Sequence, residues 1–96
     1  MSNDGITNVH LRKKASGILK SIELVPANHR QGNASASFGQ DYNLLRRKAL
    51  ELNPHLTSVV PAEAVISEGM GGIPFTNESY LDLHSYCSQL YELLEP

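Results

Sequence analysis

At 96 residues and a net charge of −2, the chain has room for one small domain, residues 1–96, with a modest core. Its lone cysteine, Cys87, excludes an internal disulfide framework and suits a reducing compartment. No apolar run approaches a membrane span and no basic-then-apolar leader opens the chain, so a cytoplasmic location is expected.

The small net charge conceals a split. All eight Lys and Arg lie at or before Lys48 beside only Asp4, Glu23 and Asp41, so residues 1–48 carry +5. From Ala49 onward there are seven acids and no Lys or Arg, a charge of −7. Such a chain can pack its basic half near its acidic half, or attract a second copy head to tail.

Residues 1–6 are polar and read as a frayed N-terminus. From Thr7, an N-cap residue by type, Leu11, Ala15, Ile18, Ile22 and Val25 step by four, three, four and three. That spacing predicts an amphipathic helix over 8–25, ended by Pro26. Gly17 in its middle weakens it. An alternative α+β reading places a short strand at 17–25, but the alternation there is broken by Leu19.

Residues 27–39 are small and polar and read as a flexible internal linker. Ser37 with Gln40 resembles a capping box. Tyr42, Leu45, Ala49 and Leu52 then predict a second helix over 40–52, stopped by Asn53-Pro54. Residues 55–76 are harder to read. Pro61 suits the first turn of a short helix near 61–67, whereas 56–60 is β-like. Residues 68–75 read as a turn-rich loop whose Ile73 and Phe75 are expected to tuck into the core. Thr76 or Asn77 is then placed to cap a last helix over 78–94, with its stripe at Tyr80, Leu83, Cys87, Leu90 and Leu94, widened by Leu81 and Tyr91. The expected fold is therefore all-α, a small bundle of three main helices.

Motifs for chemistry are sparse. Gly69-x-Gly71-Gly72 is followed by Ile73-Pro74, with no Lys-Ser/Thr and no helix opening directly after it, as a phosphate loop needs. His84 and Cys87 are three apart on a helix, but a zinc site wants four ligands, so no metal and no cofactor is expected. Cys87 on an apolar stripe behaves as a small hydrophobe. No Gly-x-Ser-x-Gly elbow occurs, and a non-enzyme is expected.

The strongest signal is the set of amphipathic helices. It points to a protein–protein interaction module, an adaptor or small regulatory subunit and a homodimer by expectation. The candidate contact residues are Tyr80, Tyr86, Leu90 and Tyr91, because tyrosine suits half-wet surfaces. The alternative is a small nucleic-acid-binding regulator that meets phosphates through Arg12, Lys13, Lys14, Arg46, Arg47 and Lys48.

Overall fold

The computed structural model describes residues 7–95. The expected frayed N-terminus, 1–6, lies outside them. The chain runs α1 (Asn8–Glu23), β1 (Asn33–Ser35), α2 (Ala36–Leu52), β2 (Ile66–Glu68), β3 (Pro74–Ser79) and α3 (Tyr80–Leu93), with short 3-10 turns at Ala27–His29, Pro54–Leu56 and Met70–Gly72. The strands form one antiparallel sheet in the order β1-β3-β2. The fold is thus α+β, and the all-α expectation is wrong.

The three helices do follow the three apolar stripes, with shifted ends. Thr7 caps α1 through a capping box with His10: the Thr7 N–H donates to His10 Nδ1 at 3.2 Å, and the His10 N–H to Thr7 Oγ1 at 3.4 Å. The far end of α1 is held by Arg30, whose Nε donates to Val25 O at 2.8 Å and whose Nη2 donates to Glu23 O at 2.6 Å. This satisfies carbonyls that a helix end leaves open. The last helix is capped by Ser79 with Asp82, not by Thr76 or Asn77, since the chain stays extended as β3 up to Ser79.

Ser37 and Gln40 form no capping box; both lie inside α2, whose N-cap is Ser35. The stretch read as a linker, 27–39, carries a 3-10 turn, β1 and the first turn of α2.

The expected helical turn near 61–67 is replaced by extended chain leading into β2. Side chains of α2 take up the hydrogen bonds that a helix would have made. Arg46 Nε donates to Pro61 O at 2.7 Å, and the Tyr42 hydroxyl donates to Ala62 O at 2.8 Å. Asn43 clasps Ala64 on both sides, donating to its carbonyl at 2.9 Å and accepting from its N–H at 2.8 Å. With its polar groups satisfied from outside, the segment has no need of internal turns. The α+β alternative has the right class but the wrong strands: 17–23 is helical, and 56–60 is the end of a 3-10 turn followed by further turn and a bend.

Strand β3 is the centre of the sheet, with Ile66, Ser67 and Glu68 opposite Thr76, Phe75 and Pro74. On its other side Asn33 pairs with Ser79 and Ser35 with Phe75, with an irregularity between them. Val65 extends the β2 side, its carbonyl accepting from Asn77 N–H and its N–H donating to Glu78 Oε1.

Helix α1 is antiparallel to both other helices. Asn8 meets Asn53 beyond the end of α2, and also donates to Glu95 O beyond the end of α3. At its other end Glu23 meets His84 near the start of α3, at 3.0 Å. The core joins Leu11, Ala15 and Ile22 of α1, Tyr42, Leu45 and Ala49 of α2, and Leu83, Cys87, Leu90 and Leu94 of α3 and its C-cap.

A candidate binding groove between the first two helices

Between α1 and α2 lies a groove of about 550 Å³. On α1 the residues that face it, His10, Lys14, Gly17, Ile18 and Ser21, form a second stripe at helical spacing beside the buried one. On α2 they are Phe38, Asp41, Leu44, Leu45 and Lys48. Leu11 and Leu45 are buried and form the floor, Ile18 and Phe38 are half-buried, and Leu44 is 47% exposed. Gly17 accounts for part of the space. A Cβ built there would meet nothing within 4 Å.

The antiparallel pairing fixes the charge of the rim. With Asn8 opposite Asn53, Lys14 and Lys48 fall at one level, His10 lies toward that end, and Asp41 lies toward the other. The salt bridges among the described residues are Arg46–Glu63 at 3.9 Å and His84–Glu23 at 3.0 Å. Lys14 and Lys48 therefore have no carboxylate partner among the described residues. His10 is turned to its own helix start by the capping box. The result is an apolar trough whose rim is cationic at the Lys14–Lys48 end and carries Asp41 at the other, suited to non-covalent recognition.

The expected contact residues do not share one surface. Leu90 is fully buried in the core. Tyr80 stands edge-on to Phe38, ring centroids 5.4 Å apart, and its hydroxyl accepts from Ser35 N–H at 3.3 Å. Tyr86 packs on Tyr42 at 5.7 Å, and desolvation, with Glu78 and Asp82 nearby, raises its hydroxyl pKa. Tyr91 lies beneath Arg12, whose Cζ is 4.0 Å from the ring centroid.

Nor do the six cations form one patch. Arg12 Nη1 donates to Tyr91 O at 3.1 Å and Leu94 O at 2.7 Å, closing the end of α3. Arg46 holds Pro61. Lys13 and Arg47 are exposed, and only Lys14 and Lys48 meet at the groove.

Cys87 and His84, three residues apart, are separated by environment. Cys87 is fully buried, and desolvation pushes its thiol up to about 12, whereas His84 reaches outward to Glu23. A buried neutral thiol is a poor nucleophile and a poor ligand.

Sequence reasoning missed Gly17, Phe38, Leu44 and Ser21 as groove residues. Two signals were available: a glycine inside a helical stripe, and Leu44 standing beside Leu45 off the core-facing stripe. The chain matches no protein-family model, no curated protein and no solved structure.

Proposed function

We propose that this chain is a protein-interaction module whose α1–α2 groove receives a segment of a partner protein bearing apolar side chains flanked by carboxylates. The observation that carries this reading is the open trough itself: about 550 Å³ between two helices, floored by Leu11 and Leu45, flanked by Ile18, with Lys14 and Lys48 at one end of its rim and Asp41 at the other. Amphipathic segments lay apolar side chains into grooves of this kind, and rim charges then select and orient them. The lysines favour an acidic occupant over a basic one.

Titration of the isotope-labelled full chain with an amphipathic peptide, Leu at i, i+3, i+4 and i+7 and Glu elsewhere, tests the reading by NMR. Shifts confined to Gly17, Ile18, Leu44 and Lys48, lost in Gly17→Leu and weakened by salt, are expected. Binding that leaves these four unmoved, or that survives Gly17→Leu unchanged, overturns it.

A further inference from the structure

The groove's occupant has a counterpart in the chain itself, at the turn between β2 and β3. There Gly69 N–H donates to Ile73 O at 2.8 Å and Gly72 N–H donates to Gly69 O at 3.1 Å. Gly71 and Gly72 take φ of +73° and +75°, a left-handed conformation that glycine adopts without penalty. This tight turn holds two large apolar side chains in solvent, against the expectation that Ile73 tucks into the core: Met70 is 95% exposed and Ile73 70%. Glu68, also exposed, stands at the base of the same turn. The turn therefore has the chemistry that the groove selects, two apolar side chains with a carboxylate beside them. The division of charge along the chain has the same sense, with the groove in the half that carries every Lys and Arg and the turn in the half that carries none.

The turn and the groove of one molecule stand on opposite sides of α2. Gly39 and Asn43 of that helix face the strands and the segment leading into them, with Gly39 against Thr76 and Ile66 and Asn43 bonded to Ala64. Asp41, Leu44 and Lys48 face the groove instead, roughly half a turn around the helix. The turn therefore does not cover the groove of its own molecule, and both stand open to another molecule.

We propose that the Met70–Ile73 turn of one copy docks in the α1–α2 groove of a second copy, with Glu68 toward Lys14 and Lys48. This inference rests on the groove reading above and names its partner. The contact joins two different surfaces, so it closes into a ring or two-fold pair or else propagates head to tail. A turn in a groove buries less than the ~1,200–2,000 Å² of a stable interface, so the association is weak and reversible.

Sedimentation velocity on the full chain over a wide concentration range tests the proposal, with three samples beside the wild type. The average mass of the wild type is expected to rise with concentration. Met70→Asp with Ile73→Asp keeps the groove but spoils the turn; Gly17→Leu keeps the turn but fills the groove. Each alone is expected to stay monomeric, with an unchanged circular dichroism spectrum because these positions are exposed. Mixed, they are expected to form a one-to-one heterodimer, since one intact turn then meets one intact groove. A wild type that stays monomeric throughout, a turn variant that associates as the wild type does, or a mixture that stays monomeric overturns the proposal. If the acidic peptide still shifts the groove residues while the wild type remains monomeric, the second-copy assignment fails and the groove reading stands; if neither binds, both fail.

Discussion

Gly39 of α2 and Thr76 of β3 meet so closely that no Cβ fits between them. A methyl group on Gly39 would overlap the Thr76 side chain and come within 2.8 Å of Ile66 Cδ1. Thr76 cannot retreat: it is fully buried, and its hydroxyl donates to Ser35 O at 2.7 Å. This contact lets the helix lie directly on the sheet. Alanine there adds up to ~1 kcal/mol of helix propensity, but overpacking costs about 1–3 kcal/mol. Gly39→Ala is expected to lower stability by about 1–2 kcal/mol in urea denaturation.

Gly17 is the converse case. It too is helical, in the middle of α1 where Gly39 is in the first turn of α2, but with open space where a Cβ would go. Gly17→Ala is expected to raise stability by up to ~1 kcal/mol, through helix propensity and a less flexible unfolded chain. The same denaturation measurement checks it, and opposite signs at the two glycines separate close approach from propensity.

Arg12 joins two helices by covering the Tyr91 ring and donating to two carbonyls at the end of α3. Lysine has neither the planar fork nor the same stacking. Arg12→Lys is expected to cost about 1–2 kcal/mol, the scale of a charged hydrogen bond, although it keeps the charge. Thermal unfolding checks this, and a variant as stable as the wild type would return Arg12 to the pool of surface cations.

Alkaline pH acts on two buried acids. Desolvation raises the Cys87 thiol from 9.0 to about 12, and it lifts the Tyr42 phenol above its ordinary 10.0. In the unfolded chain both ionise at their ordinary values, so above them that state sheds protons that the folded state keeps. Stability is expected to be untouched by these groups below about pH 9 and to fall from about pH 9 to 12, by up to about 1.4 kcal/mol per pH unit for each. Denaturation midpoints measured across that window check it, as does the rate at which a thiol reagent labels Cys87 at pH 8, which is expected to track unfolding.

Which parts of this molecule are local and which are not explains what its sequence showed. Leu11, Ala15 and Ile22, or Leu83, Cys87 and Leu90, recur at a helical period whatever surrounds them, because the hydrogen bonds of a helix close within four residues. The three helices, their buried faces and the Thr7 cap were legible for that reason. The sheet was not. Strands β1 and β2 are three residues each, too short for a period of two to register, and β3 contains Pro74, Asn77 and Glu78, which strands disfavour. Its β1 partner lies far back in the chain, and its β2 partner, although joined to it by the Gly69–Ile73 turn, is too short to show a hairpin pattern, so only the folded arrangement reveals the pairing.

The groove follows the same division. The charge split and the apolar stripes belong to the sequence alone, and they set that this chain has sticky, oppositely charged halves. The trough exists only because α1 packs antiparallel to α2, bringing Lys14 level with Lys48 and leaving the space beside Gly17 unfilled. Side-chain type is written residue by residue, whereas the distance between two helices is settled by everything packed around them.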